Sequence, residues 1–426
     1  MHRTARLVLA WTAALLLLAV AALAIAWARF VPNDAEVAQR LAAQVEARLG
    51  VKVSIGAAHL KLWPKPELVI EDARTVQPEP IALKRLVAQA RLLPLLRGRV
   101  EVDDVLVDGA TLPQLSLRGL RVRPADGGDA GTLQVARLEF RDVVWITRHG
   151  VPLEFSGSAQ FGPDWELRQA DVVRPGVQPA VHLALTPLGS QHWKVQIEAG
   201  GGSANGEMEL KTAADGSLAL TGKLAPRGID VAAALASFKR HSALRGKASG
   251  ETTLSASGAS IGDLARSLHT RTLFTVASPT LLHIDVDKAI RSFGQEREGQ
   301  TALLSLAGQM DTQNGPDGMV VRYTALQAKG QTFSATGQGS IANRRIDGEL
   351  TVQLAGGLVG VPLKVTGPLS KPQVSVPASA VAGATAGAVI GTAVLPGIGT
   401  AIGASVGAAV GKLFGGNDAG KKAPAR

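Results

Sequence analysis

Aliphatic side chains alternate with polar ones along much of the chain between residues 51 and 365, and this period of two restricts the fold more than any other feature. Because successive side chains of a β-strand point to opposite faces of a sheet, the alternation predicts strands with one apolar and one solvated face. Turn sequences such as Asp126-Gly127-Gly128, Asp215-Gly216 and Asn314–Gly318 separate the runs and predict antiparallel hairpins. The clearest runs are Val51–Ile55, Leu86–Leu92, Val181–Leu185, Trp193–Ile197, Leu350–Leu354 and Leu363–Val365.

Few segments outside the apolar ends of the chain have helical periodicity. Apolar residues recur at intervals of four from Val37 to Leu49, between Asn33 as a cap and Gly50 as a stop, and shorter helices are predicted at Asp230–Lys239 and Ser260–Leu268. So few helices cannot cover a large sheet. We therefore predict a mainly β protein with a few helices, whose elongated antiparallel sheet curls on itself as a trough or a sandwich. Its aliphatic side chains form either a dry core or a surface for acyl chains, and the periodicity leaves both open.

The first thirty residues include an apolar segment that is long enough to cross a bilayer. The 22 residues from Leu7 to Ala28 carry no charge and would form a helix of about 33 Å, against about 30 Å of hydrocarbon. Arg3 and Arg6 precede the segment, so the positive-inside rule places the N-terminus in the cytoplasm and the bulk of the chain outside. A cleaved signal peptide is the alternative, but its apolar region usually has about 7 to 15 residues, which favours an N-terminal transmembrane helix.

The C-terminal segment is a second uncharged region, rich in glycine. Residues 378–411 contain no charged side chain, and glycines recur at intervals of four in two runs that Pro396-Gly397 separates. This spacing aligns glycines on one helical face and predicts a glycine-zipper helical hairpin that dips into a membrane or pairs with another copy. A single tilted span and a weakly structured Ala/Gly-rich tail are the alternatives. The zipper glycines are Gly383, Gly387, Gly391, Gly399, Gly403, Gly407 and Gly411.

The net charge of the chain and its lack of cysteine limit which partners and which chemistry the protein can have. Lys and Arg number 45 and Asp and Glu 35, which leaves a net charge of +10 that suits an anionic neighbour. No basic and aromatic patch of the kind that binds nucleic acid is present, so we expect phospholipids and a membrane as partners and no nucleic acid. The absence of cysteine excludes disulfides, thiolate zinc sites, iron–sulfur ligation and cysteine nucleophiles.

The sequence contains few motifs of the kind that carry catalysis. The pattern G-x-S-x-G occurs around Ser260 and around Ser405, but Ser260 is better explained as a helix cap, and Ser405 lies in the glycine-rich segment, where such matches arise by composition. The eight histidines are scattered, and we interpret His283, Asp285 and Asp287 as the solvated face of a strand. We predict no catalytic residue, no metal and no cofactor, and therefore no enzyme. A hydrolase that uses Ser260 is the least favoured interpretation.

Several strand and turn motifs follow one another between the N-terminal anchor and residue 376. They are Gly50–Ile55, Leu62–Leu68, Leu93–Val102, Val105–Gly109, Leu254–Ser260, Asp263–Leu268, Ile284–Val286, Val361–Leu369 and Lys371-Pro372. In this order the chain resembles the AsmA-like family of proteins of the Gram-negative inner membrane. The resemblance implies an elongated, curled β structure whose apolar groove carries phospholipids between membranes, with no catalytic residue. The chain is short for a bridge between two membranes, and the glycine-zipper tail is not part of the family's core pattern.

These observations divide the chain into five predicted regions. They are a cytoplasmic stub and transmembrane anchor at 1–30, an AsmA-like N-terminal α/β region at 31–125, a β-rich AsmA-like C-terminal region at 126–376, the glycine-zipper segment at 377–416 and a basic tail at 417–426.

The leading hypothesis is a non-enzymatic envelope protein that shelters and moves phospholipid acyl chains along an apolar β groove and supports outer-membrane biogenesis. It would be anchored in the inner membrane by a single N-terminal span, with the bulk of the chain in the periplasm. The alternative is a structural or assembly factor that binds other envelope proteins and self-associates through the glycine zipper. The candidate groove residues are Val181, Leu183, Leu185, Val195, Ile197, Leu350, Val352, Leu354, Leu363 and Val365.

Overall fold

The computed structural model describes residues 34–61, 65–91, 101–116, 134–162, 166–259, 261–283, 285, 288, 298–315, 318–354, 361–369 and 373–375. This part of the chain is mainly β, with few helices, as the alternation predicts. The helices are α1 (Asp34–Leu49), α2 (Val231–Ala236) and α3 (Ile261–Ser267). They match the three predicted helical segments, and α2 is shorter than its prediction.

The strands follow one another along the chain, mostly as antiparallel neighbours. The first eleven are β1 (Val53–Ser54), β2 (Ala57–Lys61), β3 (Glu67–Thr75), β4 (Ala82–Ala90), β5 (Glu101–Pro113), β6 (Gln134–Ile146), β7 (Pro152–Phe161), β8 (Leu167–Val173), β9 (His182–Gly189), β10 (His192–Ala199) and β11 (Gly202–Thr212). The others are β12 (Leu218–Arg227), β13 (Ile229–Asp230), β14 (Leu244–Gly258), β15 (His269–Leu282), β16 (Gln300–Ala302), β17 (Ser305–Gly315), β18 (Gly318–Lys329), β19 (Phe333–Ala342), β20 (Arg345–Leu354), β21 (Val361–Pro368) and β22 (Gln373–Ser375).

The described residues form two compact units. The first comprises the residues up to Ala225 together with Ala233–Arg240 and Thr253–Leu268, and the second comprises Pro226–Ala232, His241–Thr252 and the residues from His269 onward.

The first unit contains a filled core between α1 and the first strands. Asp34 and Glu36 lie in the first turn of α1, where carboxylates complement the helix dipole, and Gly50 ends the helix with a φ of 68°. The apolar stripe of α1, represented by Leu41, packs among fully buried side chains of the strands, such as Leu68 and Leu86. The four-residue periodicity of this helix is therefore core packing.

One strand pair departs from the antiparallel prediction. β5 and β6 are parallel, with Val105 opposite Leu138 and Val107 opposite Phe140. Parallel strands need a connection of about a dozen residues or more, and residues 114–133 provide one of this length. The predicted turn at Asp126-Gly127-Gly128 lies within this connection, outside the described residues.

Two other predicted turns form hairpins. Gly216, with a φ of 80°, lies in the turn between β11 and β12, where the amide of Ala213 donates to the carbonyl of Ser217 at 2.8 Å. Gly315 pairs with Gly318 at the end of the β17–β18 hairpin. The Asp-Gly and Asn-Gly sequences at both positions predict tight turns between strands, and the structure confirms them.

The predicted strand face at His283, Asp285 and Asp287 is wrong. β15 ends at Leu282, and His283 has a φ of 68°, in the left-handed region that interrupts an extended strand. Asp285 lies outside any strand, and Asp287 lies outside the described residues.

The second unit contains the consecutive antiparallel strands β17 to β21, with β15 beside β17. The register places Leu306 opposite Ala328, Gly337 opposite Leu350, and Leu350 opposite Leu363. β19 and β20 approach closely at Gly337, where an added Cβ would lie 2.3 Å from the carbonyl oxygen of Glu349. A residue without a side chain is therefore required at this point of the sheet.

Candidate functional site

The candidate groove residues fall into two groups, one in each unit. In the first unit, Leu183 pairs with Ile197 and Leu185 with Val195 across β9 and β10. Leu185 is 8% and Val195 4% exposed, and both belong to a packed cluster with Trp193. This group is therefore centred on a small core against which Leu183 and Ile197 pack, and Val181 is half-buried.

The indole of Trp193 holds this cluster in place. Its Nε1 donates to the carbonyl oxygens of Leu167 and Arg168, at 3.1 and 3.0 Å. A buried tryptophan thus satisfies its only donor while its ring fills the space between strands. The surroundings of Leu185 and Val195 offer packing rather than an open surface.

The second group lies on β20 and β21, and its side chains remain half-buried. Leu350 pairs with Leu363, and Val365 lies opposite Gly348. Leu350, Val352, Leu363 and Val365 are all intermediate in exposure, whereas their neighbours in sequence Glu349, Thr351 and Lys364 are exposed. Leu354 ends β20, and its side chain is outside the described part of the chain. The sheet therefore has one apolar and one polar face here.

The apolar side extends across the second unit, because directly paired residues of antiparallel strands point to the same face. We call this surface the apolar face. Its described side chains are half-buried except for Val276, which is buried. It comprises Phe274 and Val276 of β15, Leu306 and Met310 of β17, Val321, Tyr323 and Leu326 of β18, Ile341 of β19, Ile346, Leu350 and Val352 of β20, and Leu363 and Val365 of β21.

A bulge in β18 keeps this face continuous. The pairing of β18 with β17 and β19 shifts between Tyr323 and Leu326, and Ala325 has a φ of 48°. The extra residue changes the phase of the alternation, so that Tyr323 and Leu326 lie on the same face although they are three residues apart. Without it, either Tyr323 or Leu326 would point to the polar side.

Tyr323 is an aromatic member of the apolar face. Its ring meets Phe274 edge to face, with centroids 6.4 Å apart and planes at 87°. Burial raises the pKa of Tyr323 above its ordinary value. Its hydroxyl has no hydrogen-bond partner among the described residues, so it keeps its capacity to donate and accept. Sequence alternation missed Phe274, Met310 and Tyr323, because the bulge breaks the pattern of β18 and threonine and glycine dilute that of β15 and β17.

Threonine hydroxyls on the same part of the sheet satisfy one another. Thr252 and Thr272 approach at 2.9 Å between their Oγ1 atoms, and Thr270 forms a hydrogen bond with Thr312. Paired hydroxyls cost little to remove from water, since each keeps a partner. These threonines therefore leave the face compatible with an apolar ligand.

The opposite face carries the charges of the second unit. Asp311 accepts hydrogen bonds from Nε of Arg271 at 3.0 Å and from the amide of Gln309 at 2.7 Å, and Nε2 of His269 lies 3.3 Å from its Oδ1. Burial alone would raise the pKa of Asp311, but these hydrogen bonds and the nearby positive charges hold it below its ordinary value. These contacts pair the carboxylate of Asp311 with cationic and amide groups on the polar face.

Arg174 is a buried charge of the first unit that the sequence did not single out. Its guanidinium lies 5.5 Å from the ring centre of Phe155 and 5.3 Å from that of Phe238, and its Nε donates to the carbonyl of Glu154 at 3.3 Å. Its Nη1 is buried without a partner, and burial lowers the pKa of Arg174. The arrangement is a cation held between two aromatic faces.

Several other residues and segments considered in the sequence lie outside the described residues. They are Ser260, Ser405, the seven zipper glycines and the apolar segment at 7–28. Among the helices that the structure describes, none has the length and apolar character needed to span a bilayer. Within the same residues, no three His, Asp or Glu side chains are grouped so that they could bind a metal ion.

Comparison of the chain with protein-family models, with curated proteins and with solved structures gives no match.

Proposed function

We propose that the protein is a non-enzymatic envelope protein that shelters phospholipid acyl chains on the apolar face of its second unit and so supports outer-membrane biogenesis. The observation that carries the proposal is the half-buried state of this face. Its aliphatic side chains continue across β17 to β21, while the reverse side carries residues such as Glu349 and Lys364. The filled core around α1, with side chains such as Leu86 at 0% exposure, is the contrasting case.

The driving force would be the removal of acyl chains and of the apolar face from water. Each methylene that leaves water contributes about 0.8 kcal/mol, so a chain of ordinary length lying on the face gains several kcal/mol while its headgroup stays solvated. No covalent step is needed. The resemblance to AsmA-like proteins supports this assignment, as do the expected inner-membrane anchor and a periplasmic location for the bulk of the chain.

The test is the lipid content of the purified full chain. We expect phospholipid to co-purify and to be detected by mass spectrometry. Val352→Glu places a carboxylate on the apolar face and should remove most of this lipid, because a charge cannot be buried against acyl chains without a large cost.

Thr351→Glu is the matched control. It adds the same charge at the neighbouring position of the same strand, on the exposed polar face. We expect it to retain the wild-type amount of lipid. Equal retention in the two variants, with both folded by circular dichroism, would contradict the proposal.

A structural or assembly role is the second candidate. The packed cluster around Trp193 argues against a lipid surface in the first unit, because Leu185 and Val195 are buried there, and an assembly role is the alternative for that unit. This role predicts crosslinks from the first unit to other envelope proteins or to a second copy, and a purified chain without lipid.

A further inference from the structure

One end of the second-unit sheet carries exposed apolar and cationic side chains together. The hairpins β17–β18 and β19–β20 and the segment after β21 meet at this end, because alternate connections of an antiparallel sheet lie at the same edge. The register pairs Val321 with Ile341 and Ala342 with Arg345, and the amide of Leu369 donates to the carbonyl of Arg344 at 2.8 Å. We call Met319, Asn343, Arg344, Arg345 and Leu369 the rim.

The rim is the place where the apolar face reaches the end of the sheet. Met319 lies two residues beyond Val321 of that face and is 45% exposed, and Leu369 directly follows β21 and is 44% exposed. Ile341 and Ile346 flank the turn between them. An acyl chain on the apolar face would therefore enter or leave past Met319 and Leu369.

The described charged side chains of the rim are both cationic. Arg344 and Arg345 are exposed, and neither forms an ion pair with any residue that the structure describes. The nearest described carboxylate along β20 is that of Asp347, which lies opposite Ser340 and Thr366 within the sheet. An anionic surface is the partner that these charges complement.

The backbone of the rim turn holds an arginine where glycine is usual. Asn343 and Arg344 have φ values of 49° and 62°, as a two-residue hairpin with two left-handed residues requires. Glycine adopts this conformation without strain at the second position, whereas arginine does not. The side chain of Arg344 thus adds charge to the tip of the hairpin at a cost in backbone strain.

We infer that the rim docks on an anionic phospholipid bilayer. Arg344 and Arg345 bind the headgroup layer, Met319 and Leu369 enter its interface, and the end of the apolar face meets the acyl region. This inference rests on the proposed function, since it names the membrane surface at which the apolar face exchanges lipid.

The test uses the full chain in phosphatidylcholine nanodiscs and follows the insertion of single residues. Because the chain has no cysteine, Leu369→Cys can be labelled alone with an environment-sensitive fluorophore. We expect its emission to rise and shift to the blue when vesicles of phosphatidylglycerol and phosphatidylcholine are added, and to stay constant with phosphatidylcholine vesicles. Leu304→Cys, an exposed position at the opposite end of β17, is the control that should not respond.

Charge variants test the role of the arginines, with the label retained at position 369. Arg344→Gln combined with Arg345→Gln should weaken vesicle binding roughly 30-fold, since each cation near an anionic surface contributes about fivefold in affinity. Arg322→Gln combined with Lys364→Gln removes the same charge from exposed positions within the strands and should have little effect. Arg344→Gly should raise the thermal midpoint and still weaken binding about fivefold, so a folding defect cannot explain the loss.

The outcomes separate docking from lipid carriage. Equal responses at positions 369 and 304, equal responses to the two vesicle types, or unchanged binding of the rim arginine variants would each overturn the inference. The lipid content of the same variants is measured by mass spectrometry and should equal that of the wild type. A chain that docks but holds no lipid would refute the proposed function alone, whereas a chain that holds lipid and does not dock would refute only the rim.

Discussion

Two leucine-to-alanine substitutions distinguish a filled core from an open apolar face. Leu86 is fully buried among the strands and α1, so Leu86→Ala should leave a cavity and cost about 2–5 kcal/mol of unfolding free energy. Leu350 is half-buried over Gly337 on the apolar face. Leu350→Ala removes three carbons, worth about 2.4 kcal/mol at full burial, and partial exposure reduces the cost to about 1 kcal/mol because the vacated space opens to solvent.

The assay must resolve the two units. All six tryptophans precede residue 194, so tryptophan fluorescence reports the first unit and would not detect a change on β20. Amide hydrogen exchange followed by mass spectrometry measures the local opening free energy of peptides from β4 and from β20 in the same sample. The delipidated full chain is compared with each variant, and Thr351→Ala on the polar face provides the baseline for β20.

The result that would refute the reasoning is a loss at Leu350 as large as that at Leu86. It would mean that other side chains cover Leu350 as fully as they cover Leu86. The apolar face would then be a filled core, and the proposed site for acyl chains would not exist.

Three further predictions concern other parts of the sheet. Gly337→Val should destabilise the β19–β20 pairing by about 1–3 kcal/mol, because its Cβ would collide with the carbonyl oxygen of Glu349. Amide hydrogen exchange of β20 peptides measures this loss, and Thr336→Val is the control that should be tolerated. Equal protection of β20 in the two variants would contradict the prediction. The depressed pKa of Asp311 contributes stability that is present above the ordinary aspartate pKa of about 3.9 and lost as the pH falls through the lower folded value. Asp311→Asn should therefore flatten the decline of the urea midpoint, followed by circular dichroism, as the pH falls below about 4, and an unchanged slope would argue against this. Arg174→Ala should lower the stability of the first unit by about 1–3 kcal/mol, whereas Arg174→Met should cost under about 1 kcal/mol, since methionine keeps the contact with both phenylalanine rings and removes a buried charge with an unpaired nitrogen. Tryptophan fluorescence during urea unfolding reports both, and equal losses would contradict this account.

The alternation in the sequence alone predicted much of the strand content of the described fold. It also predicted the half-buried group of candidate residues on β20 and β21. The run from Leu350 to Leu354 became β20, and its polar and apolar residues separate between the faces as the period of two requires. The helix α1 was predicted equally well, because its N-cap residue, its apolar stripe and its terminal glycine are all local features of the sequence. Such features depend on neighbours within a few residues, which is why the sequence carries them.

The alternation in the sequence did not predict the parallel pairing of β5 with β6 or the β-bulge at Ala325. A strand direction depends on how a long connection returns, and a bulge depends on the register with both neighbouring strands. The bulge brings Tyr323 and Leu326 onto the same face, and threonine and glycine dilute the alternation that would have marked Phe274 and Met310.

The sequence by itself determined that the chain forms sheets with one apolar side, because the alternation of side chains along a strand follows from backbone geometry. Only the tertiary structure decided which apolar sides are filled. Leu185 and Val195 are packed around Trp193, whereas Leu350 and Leu363 are half-exposed. Yet both pairs lie in the same kind of alternating apolar and polar sequence. Burial depends on which distant segments pack over a side chain, and a pattern of period two contains no information about them.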